Sequence, residues 1–318
     1  MSPHHPELYD VRLVDLLNLL FLSAIWGASF LFMRISAPDF GPVPLIAFRM
    51  TLAGLALAPV FFHEEARSSY RAHWWKLLIS GVVGSALSFV LLSYATLTLS
   101  AGFTSLLNSS VPVFSAIIAA IWLKERLSGS QLIGIILGII GIFILVWGKM
   151  DFQKSGIGWP VLACVTACLC YGFGATWMKR HLQNIKPLVA SSGSLLSAGL
   201  VLIPFSLTRL PAEVPSGLSW LSAIALSLIC TALAFVFFFK LIQRTSAIVA
   251  SSVTFLIPFF GIFWGWLFLD ETVNGQMIAG LLVSLTGMAM ITKLSDIRHP
   301  PEIQKPADFS SPNPPNSA

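Results

Sequence analysis

Shifted by 146 residues, the second half of this sequence falls onto the first, so that Ala101 meets Ala247. Ser105, Pro112, Phe114, Leu123, Glu125, Gly129, Gly134 and Gly141 likewise meet Ser251, Pro258, Phe260, Leu269, Glu271, Gly275, Gly280 and Gly287. With small changes of shift the match reaches upstream: Trp26-Gly27 aligns with Tyr171-Gly172, Arg34 with Lys179, Pro44-Leu45 with Pro187-Leu188, and Trp74 with Trp220. A chain duplicated over most of its length folds as two related units, and a single functional centre then lies where the units meet.

The solvent of those units follows from how apolar they are. Hydrophobic residues make up 56% of the chain and charged residues 10%, with a mean hydropathy of +0.81, far from the balance of a soluble domain. The expected fold class is an all-α integral membrane protein. A spanning helix needs about 20 apolar residues, and the chain has ten such stretches, near 15–35, 43–62, 75–97, 101–123, 129–148, 157–178, 187–208, 217–240, 246–269 and 275–292. A transmembrane barrel would instead show ten-residue alternating segments. The first stretch lacks a small-residue cleavage site and reads as a span rather than a signal peptide.

Basic residues set the orientation. With the N-terminus inside, fourteen of them (Arg12, Arg67, Arg71, Lys76, Lys124, Arg126, Lys179, Arg180, Lys186, Lys240, Arg244, Lys293, Arg298 and Lys305) fall on the cytoplasmic side. The opposite side holds Arg34, Lys149, Lys154 and Arg209, so the positive-inside rule places both termini in the cytoplasm. Five spans per unit is an odd number, and the two units therefore enter the membrane in opposite senses. The resulting organisation is a cytoplasmic tail over 1–13, a five-helix repeat over 14–148, an inverted five-helix repeat over 157–292, and a proline-rich, disordered cytoplasmic tail over 294–318. The net charge of +5 is a topology signal, not a nucleic-acid footprint.

Several short motifs resemble one family. Trp26-Gly27-Ala28-Ser29-Phe30, Phe48-Arg49, Pro112 and Leu123-Lys124-Glu125-Arg126-Leu127 in the first half, with Pro258 and Leu269-Asp270-Glu271-Thr272 in the second, resemble the EamA family of the drug/metabolite transporter superfamily over about residues 14–292. The resemblance implies a ten-helix carrier of a bacterial inner membrane, working by alternating access on a small organic solute, with export of amino acids or related metabolites as the leading activity. A phosphorylated-sugar or nucleotide-sugar exchanger is the alternative within transport. It calls for more than one buried cation, and Arg49 is the one charge well inside a span. A polytopic membrane enzyme is the alternative of another class, but no nucleophile–base pair, HExxH or phosphate-binding loop occurs, and no filter-like segment suggests a channel. No cofactor or metal motif is present. Cys164, Cys168, Cys170 and Cys230 all fall within spans and read as packing residues.

The candidate solute-contacting residues are those whose chemistry is costly in lipid unless used. Proline has no amide to donate, so Pro112 frees the carbonyl of Asn108 and Pro258 that of Thr254, and both kinks leave polar groups at mid-membrane depth. Trp26, Tyr94, Tyr171, Trp177 and Trp264 combine a stacking face with a hydrogen-bonding tip, and Ser29 follows Trp26 on the same helix. Arg49 suits a carboxylate or phosphate, or else pairs with neighbours such as Asp39. Glu125, Glu271 and His73 are weaker coupling candidates. The two glutamates precede helix starts, where negative charge offsets the amide dipoles. Gly134, Gly138 and Gly141 meet Gly280, Ser284 and Gly287 in a small-residue row suited to close packing within the bundle or between copies in a homodimer. The remaining expected partners are the small-molecule substrate and membrane lipid.

Overall fold

The computed structural model describes residues 13–152, 156–245, 250 and 252–293. The expected tails, apart from Leu13, lie outside the described residues, as do 246–249 and 251 at the expected start of the ninth span. Among the described residues every regular element is helical, in the order α1 Leu13–Phe40, α2 Pro42–Phe62, α3 Glu64–Thr96, α4 Ala101–Trp122, α5 Gly129–Val146, α6 Gly158–His181, α7 Pro187–Leu207, α8 Gly217–Arg244, α9 Val253–Leu269 and α10 Gly275–Lys293. Nine of these are long and apolar enough to cross a membrane, and α9 is a shorter apolar helix. The third helix begins at Glu64, eleven residues before the expected start at 75, because the polar stretch through Arg71 and Lys76 continues the same helix beyond the apolar run.

Local chemistry explains the helix starts. Pro42 and Pro187 sit in first turns, where a missing amide costs nothing. Ser100 accepts from the Phe103 amide at 3.1 Å, and Ser128 and Gln131 form a reciprocal capping box on α5. Gly41 reverses the chain between α1 and α2 at φ 76°, a conformation that side chains resist. Lys124 and Asp270 hold left-handed φ values of 56° and 52°. They are the residues just before the two matched glutamates.

The packing follows a matched pattern. Helix α1 packs on α9 and α8, while α6 packs on α4 and α3; α2 pairs with α7, α4 with α9, and α5 with α10. Glycine permits the closest approaches. A Cβ on Gly27 of α1 would stand 2.5 Å from the Cβ of Phe260; one on Gly172 of α6 would stand 2.9 Å from the amide of Ser115. The small-residue row of α5 and α10 is consumed inside the chain, since a Cβ on either Gly134 or Gly287 would lie 2.6 Å from the other's carbonyl oxygen. Of the two uses its sequence allowed, it serves packing within the bundle. Ile133, Ile136, Phe143, Ile278 and Leu282 of the same two helices point outward, which suits hydrocarbon and not water.

Among the described residues, three helices are interrupted. In α4 the α-helical hydrogen bonding stops after Asn108, turns through Ser109 and Ser110, and resumes at Val111 with Pro112 in the first turn. The expected proline kink is thus a break between two half-helices. At Pro258, by contrast, α9 runs on as one helix. Wide π turns occupy Ser80–Leu87 of α3 and Leu228–Leu233 of α8, where a residue is accommodated without ending the helix.

Candidate functional site

The break in α4 and the π turn of α8 meet at one cavity. About 290 Å³ in volume, it lies between α1, α2, α3, α4, α6, α8 and α9. Trp26 and Ser29 reach it from α1, Arg49 from α2, Asn108 from α4, Tyr171 from α6 and Thr254 from α9, with Pro112 and Pro258 also in its wall. These residues are spread over more than 220 positions of sequence and converge because α4 and α9 cross between α1 and α6.

Arg49 is 2% exposed, and its environment is unusual for a buried cation. Its Nε donates to Thr231 Oγ1 at 2.9 Å, one terminal nitrogen lies 3.9 Å from Met33 Sδ, and its Cζ sits 3.7 Å from the centroid of Phe89. Thr231 Oγ1 donates in turn to the carbonyl of Leu226, five residues earlier, at 2.8 Å, a bond that the π turn makes possible. That donation leaves a lone pair of the hydroxyl directed at Arg49. Among the described residues no carboxylate lies within ion-pair distance of the guanidinium. The expected neighbour Asp39 instead accepts from the amide and hydroxyl of Ser216 at 3.0 and 2.8 Å. The guanidinium thus has donors to spare, a demanding arrangement for a buried cation.

An acceptor without a donor shares the cavity. Asn108 Oδ1 is buried with no hydrogen-bond partner, on the last residue of a half-helix, and the Asn108 carbonyl also lacks an amide four residues on because Pro112 stands there. The second half-helix begins in the same wall at Val111, and its first-turn amides bring partial positive charge there. The rest of the lining is aromatic and aliphatic. Trp26 packs against Phe238 at 5.3 Å and Phe235 at 6.5 Å between centroids, and Phe89 stands edge-on to Tyr171 at 5.4 Å. The chemistry of such a lining suits one anionic group and one donor, with rings around the remainder of a molecule.

The other sequence candidates lie elsewhere. Trp177 Nε1 donates to the carbonyl of Lys76 at 3.0 Å, in a cluster with Trp75, Trp122, Phe173 and His181. Trp264 Nε1 donates to the carbonyl of Ala24 at 2.9 Å; its tip is spent joining α9 to α1. Tyr94 is exposed. His73 bonds the Ser69 carbonyl one turn back at 3.0 Å. Glu125 pairs with Lys179 at 2.7 Å, so Lys179 has a partner beyond its helix end. Glu271 accepts from the amides of Ala101 and Gly102 at 2.6 and 2.9 Å. The helix start it neutralises is that of α4, not that of the helix following it in sequence. Phe89, Met33 and Thr231 line the cavity without having stood out in the sequence, and Cys230, expected only to pack, is in its wall as well. Apolar residues in an apolar helix carry no mark of what they face, and only Thr231, polar at mid-helix, offered a signal. A larger groove of about 680 Å³ runs past Phe259, Phe263 and Trp266 of α9 to Asp270, Glu271 and Thr272 at its end.

The model of the EamA-like transporter family matches residues 15–147 and again residues 158–293. The chain belongs to the EamA-like transporter family. It is a multi-pass membrane transporter and not an enzyme. It is 24% identical over 285 residues to the uncharacterized transporter YoaV of Bacillus subtilis, covering 87% of this chain and 96% of that one. It is 26% identical to an S-adenosylmethionine/S-adenosylhomocysteine transporter of Chlamydia trachomatis serovar L2, over 86% and 88% of the two chains. A probable terminal-alkyne amino-acid exporter of Streptantibioticus cattleyicolor is 25% identical, over 84% and 90%. A solved crystal structure shares the fold with a TM-score of 0.60 at 16% identity, covering 90% of this chain and 99% of that one.

Proposed function

We propose that this EamA-like transporter exports an amino acid or closely related zwitterionic metabolite with an apolar or aromatic side chain, from a bacterial cytoplasm across the inner membrane. The observation that carries this reading is the pairing of an uncompensated guanidinium, Arg49, with an unpartnered buried acceptor, Asn108 Oδ1, in one aromatic-walled cavity. A carboxylate answers the first and an ammonium the second, while Trp26, Tyr171 and Phe235 accept the side chain. Relatives named for amino-acid export and for S-adenosylmethionine support the chemical class. A phosphorylated sugar or nucleotide sugar fits less well, because Arg49 is the only cation among the described residues in the lining.

The mechanism we assign is alternating access in a bundle of ten spans, formed by inverted repeats at 14–148 and 157–292 with both termini cytoplasmic. The double family match supports the duplication. The packing of α1 on α9 and α6 on α4, the glycine contacts of Gly27 and Gly172, and the left-handed Lys124 and Asp270 fit a two-fold exchange of the halves. The two π turns recur in α3 and α8, the third helix of each half. The distribution of lysine and arginine supports the orientation. Efflux from proteoliposomes loaded with a panel of labelled amino acids and amino-acid derivatives, with and without a pH gradient, tests the proposal. Absence of any movement would sink it, as would unchanged efflux in Trp26→Ala, Arg49→Ala and Asn108→Ala alike.

A further inference from the structure

The cavity is sealed at one end. Ser29, Met33, Arg49, Ser105 and Cys230 are each 4% exposed or less, whereas Trp26, Asn108, Phe235 and Thr254 keep partial exposure. The sealed end is where α4 begins and α9 finishes. There the two backbones are nearly in contact: a Cβ on Gly261 would lie 2.5 Å from Ser105 Cβ, and one on Gly102 would lie 3.2 Å from Ile262 Cα. About one helical turn beyond Ser105, roughly 5 Å along the axis, Glu271 closes the crossing. Its Oε1 accepts from the Ala101 amide at 2.6 Å and its Oε2 from the Gly102 amide at 2.9 Å, while its own amide donates to the carbonyl of Gly265 at 3.2 Å.

We infer that Glu271 is the latch of this gate: the side chain that holds α4 against α9 at the sealed end, and whose release opens the cavity toward that end. The first amides of a helix have no partners of their own, and a carboxylate meeting two of them forms charge-assisted bonds in the favourable sense of the helix dipole. The bonds are also reversible, because Glu271 is only half-buried and water can take its place at both amides. The carboxylate and the amides it holds come from opposite halves of the chain, so the contact must break whenever those helix ends separate. Glu125, the matched residue, is engaged differently: it is exposed at the end of α4 remote from Ala101 and pairs with Lys179. Glycine at 265 is part of the device, since a Cβ there would lie 3.0 Å from the carboxyl carbon of Glu271 and closer still to its Oε2. The inference rests on the alternating-access reading, but its test requires no substrate.

Cys230, in the cavity wall, is a native reporter. Full-length protein in oriented membrane vesicles is exposed from one side to a membrane-impermeant thiol reagent, and modification of Cys230 is quantified by peptide mass. Thr272→Cys, on the exposed loop beside Glu271, identifies which vesicle face carries the latch. From that face, Glu271→Ala is expected to speed Cys230 modification about tenfold or more, and Glu271→Gln by less, since the amide retains one acceptor oxygen. Gly265→Ala, which displaces the carboxylate without removing its charge, is expected to resemble Glu271→Ala, and Glu125→Ala to match wild type from that face. Wild-type rates in both Glu271→Ala and Gly265→Ala, in protein of normal yield and gel-filtration profile, would overturn the inference. Equal acceleration from both faces would overturn it as well, since that is general loosening. Faster modification alongside absent efflux of every solute tested would leave the latch standing and remove the substrate reading.

Discussion

Arg49 is where electrostatic cost and function separate most cleanly. A guanidinium 2% exposed, held by a hydroxyl and a phenyl ring rather than a carboxylate, weakens the fold by its own desolvation. Arg49→Met, similar in length and apolar, is therefore expected to leave the melting temperature in detergent unchanged or raised while lowering kcat/KM for efflux about 100-fold, or roughly 3 kcal/mol. Arg49→Lys is expected to lose more than about tenfold, because an ammonium cannot reproduce the planar fork. A fall in melting temperature of Arg49→Met, or efflux retained in Arg49→Lys, would show the residue to be structural. The sequence exposed this residue because a charge at mid-span has few uses. Trp177 and Trp264 carried the same kind of signal, a polar tip in an apolar helix, yet their indole nitrogens are spent on the carbonyls of Lys76 and Ala24. Which carbonyl a tip meets depends on a neighbouring helix, and sequence spacing within one helix does not contain it.

Among elements, α4 bears the strongest mark of function. Its first half-helix ends at Asn108, whose side-chain oxygen is unpartnered, and a new helix starts at Val111 in the cavity wall. Pro112→Ala restores an amide to the position four residues after Asn108, which favours a continuous helix. Normal membrane yield with efflux reduced about tenfold is expected, and unchanged efflux kinetics would show the break to be incidental. At the crossing of α1 and α9, Gly27→Val is expected to lower the melting temperature in detergent by several degrees, on the order of 5 °C, as overpacking forces the backbones apart. Gly172→Val, at the matched crossing of α6 and α4, is expected to do the same. Pro112 and Pro258 are equivalent in sequence, yet one sits after a break and the other inside a continuous helix. The π turns of α3 and α8 were not legible at all, since no residue type demands a wide turn as proline demands a break.

At the scale of the molecule, the proposed topology makes a prediction independent of substrate. Cysteines placed at Glu125 and Thr272, both in loops following matched helices, are expected to react with an impermeant thiol reagent from opposite faces of the membrane. Reaction from the same face would rule out the inverted arrangement. Solvent and family were legible in the sequence alone, because hydropathy and a family pattern that matches twice along the chain are summed over many residues, insensitive to the exact placement of any helix. The sequence also determined which polar residues had to be accounted for, since an unpartnered charge or amide in hydrocarbon is costly wherever it falls. Which of them share a cavity depends on how the helices cross. Trp26, Arg49, Asn108 and Thr254 meet there through helix crossings set by backbone contacts at Gly27, Gly172 and Gly261. The partner of Glu271 was likewise a tertiary decision: the bonds to Ala101 and Gly102 span some 170 residues, and only the crossing of α4 and α9 brings those atoms within reach.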